Sequence, residues 1–476
     1  MEGTFYWHDY ETWGTDPRRD RPSQFAGIRT DEELNIIGDP LMIYCRPADD
    51  LLPQPEACMV TGLTPQKALA EGLCEARFMA LIHAELARPG TCGVGYNSIR
   101  FDDEFTRFGL YRNFFDPYAR EWQNGNSRWD IIDMVRLTHA LRPEGIEWPA
   151  YEDGTPCFQL EELTAANGIT HTEAHDALSD VYATIALARL IKGRQPRLFD
   201  YVLRMRNKRL LEQQLDPGKK TPVLHVSSMF PACYGRIAMV APVARHPVNK
   251  NGIIVFDLRY DPGPFLDLSL EELHERLFTP AADLPDGVER VPLKTVHLNK
   301  SPVVVPMSTL TPAAAERWKI DVAAGERHLE TLRCAGAFGE KVRKVHGMRR
   351  FEPVSDPDQD LYGGFFSDRD RKRMDIVRAT APRDLGGLDL VFDDRRLPEM
   401  LFRYRARNWP ETLTAEERDR WEEFRRARLL EPDGGGSITL AEYRERIEAL
   451  RRDPQTPEDK LSLLDELARW GEQIAP

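Results

Sequence analysis

Three short acidic runs stand out for the chemistry their spacing allows. The first is Asp9-Tyr10-Glu11, inside the aromatic, strand-like stretch TFYWHDYET. Strand side chains alternate between faces, so residues two apart project to one side and both carboxylates point at one spot. Carboxylates held together repel unless a hard cation or a proton offsets the charge. A solvent-facing acidic pair on an edge strand has the same spelling. The second run is NSIRFD, ending in Asp102, between the glycine-rich CGVGY and the helical DEFTRFGLYRN. Asp102 falls where a loop enters a helix, a place Asp also takes as a simple N-cap. The third is HDALSD, from His175 to Asp180, leading into VYATIALARL. On one continuous helix, residues five apart differ by about 140° in direction, so the two converge more easily if His175 lies in the connecting loop. A lone histidine there is equally a capping or surface residue.

The elements that must position these groups alternate along the first 194 residues. TFYWHDYET, LNIIGDPLMIYCRP and TCGVGYNSI read as strands, whereas EARFMALIHAELA, DEFTRFGLYRNFF, IIDMVRLTHAL and DALSDVYATIALARLIKG carry apolar residues near helical spacing. Strands and helices in this order predict an α/β domain around a central sheet. Ala177, Ala183, Ala186 and Ala188 allow the last helix to pack closely on that sheet. Residues 195–350 are richer in short β-type runs, such as RIAMVAPVA, NGIIVFDLRY and PVVVPM, separated by turns such as YDPGP. From about Asp368 the pattern is long, charged and helical, and no internal repeat is present. The expected domains are therefore 1–194, 195–350 and 351–476.

The 476 residues suit two to four domains at about 100 to 200 residues each, and 41% hydrophobic with 30% charged residues is a globular composition. The net charge of -13 taken whole argues against a nucleic-acid partner. Divided by segment it does not: residues 1–194 sum to -13, 195–350 to +7 and 351–476 to -7. The positive residues of the middle segment cluster in RMRNKR and KVRKVHGMRR. Seven scattered cysteines without a C-x-x-C pair form neither a disulfide framework nor a zinc ribbon. The N-terminus has no signal-peptide pattern and no window approaches a membrane span, so a cytoplasmic location and no membrane association are expected.

The three runs occurring together, D-x-E, then N-x-x-x-F-D, then H-x-x-x-x-D, resemble the signature of the DEDD exonucleases that carry a histidine in the last motif. The longer runs HDYETWGTDPRRDRPSQFAGIRTD, YCRPADDLLPQP, GYNSIRFDDE, AHDALSDVYATIA, LYGGFFSD and FRYRARNWP are similar to the bacterial exonuclease I family and span most of the chain. The resemblance implies a ribonuclease H-like α/β exonuclease domain with a central mixed sheet, then a β-rich SH3-like domain, then an all-helical C-terminal domain. It implies 3′-to-5′ degradation of single-stranded DNA to 5′-mononucleotides by two-metal phosphodiester hydrolysis, in DNA repair and recombination. A DEDD ribonuclease or proofreading exonuclease shares the same carboxylates but would normally end near residue 190. A non-catalytic DNA-binding scaffold would be expected to have lost one or more of them.

By that resemblance Asp9, Glu11, Asp102 and Asp180 hold two Mg²⁺ ions, with Mn²⁺ as an alternative, and His175 is the general base. Glu11 also touches substrate, as does Gln159, which stands where the family usually has an Arg. Single-strand binding combines phosphate contacts with base stacking. The matching positions are Tyr118, Trp122, Arg136, Arg142, Tyr201 and Lys208, with Arg107, Val60 and Asn251 as further candidates. The acidic-apolar tail of single-stranded DNA-binding protein is an expected partner, through Arg142, Tyr201 and Arg317. The chain is expected to be a monomer.

Overall fold

The computed structural model describes residues 3–171, 176–349 and 352–476. In space the chain forms two compact units, each built from non-consecutive stretches. The first combines residues 1–127, 171–185 and 353–476, and the second combines 128–170 and 186–352.

The first unit is built on a mixed sheet with the order β3-β2-β1-β4-β5. Its strands are β1 (Thr4–Thr12), β2 (Pro22–Thr30), β3 (Leu41–Tyr44), β4 (Thr91–Gly95) and β5 (Ser127–Asp130), the last entered as the chain passes into the second unit. β1 runs antiparallel to β2 and parallel to β4, so it is central. Its aromatic residues explain that place: Phe5, Tyr6, Trp7 and Tyr10 are all buried, which β-prone, bulky side chains tolerate on a pleated surface. All nine residues of β2 are buried, polar ones included. The buried Arg29, for instance, donates to Thr4, Thr91 and Glu85. β2 is absent from the expected strands, because covering on both faces removes the polar–apolar alternation that marks a half-exposed strand. Of LNIIGDPLMIYCRP, only Leu41–Tyr44 is strand.

One face of the sheet packs Tyr6, Tyr10 and Phe25 against Phe78, Met79, Ile82 and Leu110 from the helices Glu75–Leu86 and Asp102–Arg112. The C-terminal helices belong to the same unit. Leu440, Tyr443, Leu464, Leu467 and Trp470 share a core with Trp13, Leu51, Leu52 and Cys58. Beside it lies a buried ionic network. Arg407 pairs with Asp50 at 2.9 Å and Asp358 at 2.7 Å, and Arg403 reaches Asp358 at 3.0 Å.

The second unit holds an antiparallel sheet in the order β10-β6-β7-β8-β9: β6 (Val223–Val226), β7 (Ile237–Arg245), β8 (Gly252–Asp257), β9 (Leu293–His297) and β10 (Val303–Pro306). Val223, Ala238, Val240, Ile253, Val255 and Val304 line its core with Met205, Leu211 and Leu215. All seven cysteines are free. Among the described residues, no helix is long and apolar enough to cross a membrane.

Candidate active site

The register of β1 against β2 places Asp9 opposite Ala26 and Glu11 opposite Gln24. The two carboxylates share a face, while the intervening Tyr10 and the preceding His8 turn to the other. His8 stacks on Phe25 at 6.0 Å in the core, and burial lowers its imidazole to about 4. It is a core histidine, not part of the acidic face. The third carboxylate comes from the long helix Ala177–Arg194, whose first turn carries Asp180. Ligand oxygens of Asp9, Glu11 and Asp180 all lie within 4.8 Å of one another.

Asp102 is not an N-cap. It is the first residue of helix Asp102–Arg112, one place after the N-cap position, which Phe101 occupies. Its Oδ1 instead accepts the backbone N–H of Tyr10 at 3.0 Å, which ties the helix start to the strand between the carboxylates of Asp9 and Glu11. The Thr106 hydroxyl donates to the Asp102 carbonyl at 2.9 Å and lies 3.0 Å from the Tyr10 hydroxyl.

Four carboxylates so close together bind protons tightly when nothing else offsets them. Burial first, then Asp102, Glu11 and Asp180, raise the Asp9 carboxyl well above its ordinary range. Glu11 is pushed up to about 9 by burial, then by Asp180, Asp102 and Asp176. Oxygen donors in mutual repulsion, gathered within the span of a cation's coordination shell, fit a hard divalent metal ion.

Three residues that sequence reasoning passed over complete the surroundings. Asp176 caps the long helix, with Oδ1 accepting the N–H groups of Leu178 and Ser179, both at 3.2 Å. Gln24 donates from Nε2 to Asp176 Oδ2 at 3.1 Å. His171 Nε2 lies 2.5 Å from Asp180 Oδ1. The Asp before a helix is a readable cap signal, whereas Gln24 and His171 carry none. His175 lies outside the described residues.

Residues 6–188 match the family model described as "Exonuclease", 206–348 the "Exonuclease I SH3-like domain" and 355–474 the "Exonuclease I C-terminal domain". Exodeoxyribonuclease I of Escherichia coli (strain K12) is 49% identical over 475 residues, covering 100% of this chain and 98% of that protein. The chain belongs to the exonuclease I family. It is an exodeoxyribonuclease, with the exonuclease, SH3-like and C-terminal parts of that family in order. A moderately thermophilic exonuclease I from Methylocaldum szegediense superposes with a TM-score of 0.96 at 54% identity, covering 99% of both chains. The E. coli enzyme in complex with a dA16 oligonucleotide gives 0.96 at 49% identity, covering 100% of both. By contrast, an oligoribonuclease of Marinobacter nauticus is 28% identical over 149 residues, covering 27% of this chain and 80% of that protein. The exonuclease I likeness thus extends far beyond the part shared with ribonucleases.

The residues expected to touch DNA fall in both units. In the first, Trp122 is 66% and Val60 55% exposed. Tyr118 is half-buried, edge-on to the exposed Phe365 at 5.6 Å. Arg107 departs from expectation. It is buried, with its donors spent on Glu121 at 2.7 and 2.9 Å, Glu104 at 2.9 Å and the Tyr362 hydroxyl at 3.2 Å. Its guanidinium lies 5.3 Å from the Tyr118 ring centre, so it braces that ring instead of offering a free donor.

In the second unit, Lys208 is exposed and donates to Asn251 at 2.6 Å. Arg136 pairs with Asp133 at 2.6 Å. Gln159 is exposed at the start of helix Leu160–Ala166, with no capping bond of its own. Arg142 donates to the carbonyl of Thr309 at 3.2 Å, the Tyr201 hydroxyl accepts from Gln214 at 2.7 Å, and Arg317 lies 3.3 Å from His139 Nε2.

Proposed function

We propose that this chain degrades single-stranded DNA from the 3′ end, releasing 5′-mononucleotides, with two Mg²⁺ ions held by Asp9, Glu11, Asp180 and Asp102. The observation that carries the reading is the trio of a buried Glu11 and the half-buried Asp9 and Asp180, their oxygens within 4.8 Å of one another, in a chain of exonuclease I sequence throughout. Bound divalent ions supply a lowered pKa for the attacking water and charge stabilisation at the departing 3′ oxygen. Asp9 and Glu11, fixed on one strand face, and Asp180, fixed on the helix, set the geometry in which the scissile phosphate is received. Asp102, anchored by the backbone N–H of Tyr10, adds its charge to the cluster from the start of the neighbouring helix. His175 takes the proton of the attacking water, a task that its reference pKa of about 6.5 suits.

Strand binding draws on Trp122 and Tyr118 for base stacking, with the exposed Val60 as a further contact from the first unit. In the second, Lys208 and Asn251, with Arg136, Arg142 and Tyr201, engage phosphates and bases. Arg107 contributes through Tyr118. Gln159 is a neutral donor for a terminal phosphate, weaker than the usual Arg because a guanidinium adds charge and a bidentate fork.

Solved relatives include a zinc-bound E. coli exonuclease I–single-stranded DNA complex and an SSB/exonuclease I structure with the inhibitor CFAM. On this chain the tail of a single-stranded DNA-binding protein docks at Arg142, Tyr201 and Arg317. Titration of a tail peptide should then show at least about tenfold weaker binding to Arg142→Ala, the scale of one charged hydrogen bond lost. Equal affinity would remove Arg142 from the interface.

The nuclease reading is tested by Asp180→Ala. Nucleotide release should fall by several orders of magnitude, while single-strand affinity measured in EDTA stays within a few-fold. Near-normal turnover by the purified variant would overturn it.

A further inference from the structure

Gln24 is 1% exposed, and nothing in the chemistry above uses it. It sits on β2 directly opposite Glu11, so its side chain lies on the acidic face of the sheet. Its amide makes two bonds to the start of the long helix. Nε2 donates to Asp176 Oδ2 at 3.1 Å, and Oε1 accepts the N–H of Ala177 at 3.4 Å. An amide offers a donor and an acceptor side by side without carrying charge or titrating.

Asp176 and Asp180 are four residues apart, one turn along the same helix face. A tether at Asp176 therefore fixes both the height and the rotation of Asp180 relative to β1, the strand that carries Asp9 and Glu11. The remaining side-chain bonds of Asp176 run to Leu178 and Ser179, within its own helix. They shape the helix end but do not locate it against the sheet. Gln24 makes that link.

We infer that Gln24 is a positioning residue of the metal site, a strand-to-helix clasp that holds Asp180 in ligand range of Asp9 and Glu11. The inference rests on the metal-site reading of the three carboxylates. Its loss should resemble the loss of other groups that orient metal ligands, with metal affinity reduced about 10- to 100-fold while the fold and the DNA surface are left in place.

The test is Mn²⁺ binding to the full-length protein, followed by electron paramagnetic resonance. Single-strand affinity in EDTA and metal-free melting temperature are measured in parallel. Gln24→Met keeps the length and removes both bonds, so its Mn²⁺ affinity should drop at least tenfold with single-strand affinity unchanged. The double variant Gln24→Glu with Asp176→Asn keeps the total charge and reverses the direction of the bond. The amide introduced at 176 can still cap the helix, and affinity should recover to within about threefold of the parent. If Gln24→Met shows no cooperative melting, the double variant against Gln24→Glu alone decides.

Gln24→Met binding Mn²⁺ within threefold of the parent would overturn the inference, as would a double variant no better than Gln24→Glu. Equal losses of metal and DNA affinity would mean a general structural role and would also overturn it. Asp180→Ala serves as control. If it binds Mn²⁺ as the parent does, the metal-site reading itself fails.

Discussion

Glu11 shows how a residue's surroundings set what it can do. Burial and its acidic neighbours push its carboxyl up to about 9, so in the metal-free protein it is protonated at neutral pH. A divalent ion binds the carboxylate form, hence metal binding must expel a proton. Affinity should rise with pH up to about 9, and proton release at pH 7 should appear in calorimetric titrations as an enthalpy that changes with the buffer's ionisation heat. A buffer-independent enthalpy would show that the carboxylates are already ionised. The stability linkage has the opposite sign to ordinary acid denaturation. A carboxyl raised in the folded state stabilises it fully below the unfolded pKa of about 4.3, and that contribution is lost as pH climbs towards 9. The D-x-E, N-x-x-x-F-D and H-x-x-x-x-D runs made the carboxylates legible. The roles of Asp102 towards Tyr10, of Gln24 and of His171 were not, because each depends on a partner 92, 152 and 9 residues away respectively.

At the scale of elements, the strand Thr4–Thr12 and the helices Asp368–Ala379 and Leu440–Arg452 fall where the sequence patterns place them. β2 and the helix Leu397–Asn408 do not. In β2 the polar Ser23, Gln24 and Arg29 are buried among the apolar residues, and in Leu397–Asn408 the arginines Arg403 and Arg407 face a buried acidic cluster, so neither segment shows a clean apolar stripe. That cluster joins the C-terminal helices to the segment after β3. Burial alone would raise the Asp50 carboxyl, yet Arg407, Arg428 and Arg21 hold it below the ordinary range, and Arg407 with Arg403 does the same for Asp358. Stability from these pairs is present above the unfolded pKa of about 3.9 and is lost as pH falls through and below it. Asp50→Asn removes one of the two carboxylates paired with Arg407 and the nearer of those facing Arg428, leaving excess buried positive charge, and should destabilise the fold by about 3–5 kcal/mol in urea denaturation at pH 7. A change under about 1 kcal/mol would mean that the network is neutral to stability.

For the whole molecule, the net charge of -13 misleads when it is read as one number. Residues 1–194 carry all of it, part as the clustered carboxylates Asp9, Glu11 and Asp180, while residues 195–350 sum to +7 and include the exposed Lys208. A phosphate backbone meets these charges locally. Family likeness holds over the full length, so the acidic cluster, the exposed aromatic residues and the basic middle segment belong to one exodeoxyribonuclease. The most direct measurement is digestion of single-stranded DNA labelled at its 5′ end, with Mg²⁺ and after its removal by EDTA. With Mg²⁺ the labelled strand should shorten progressively from its far end, with unlabelled 5′-mononucleotides released and no turnover in EDTA. Early release of the label as a mononucleotide, or undiminished digestion without divalent ions, would contradict the account.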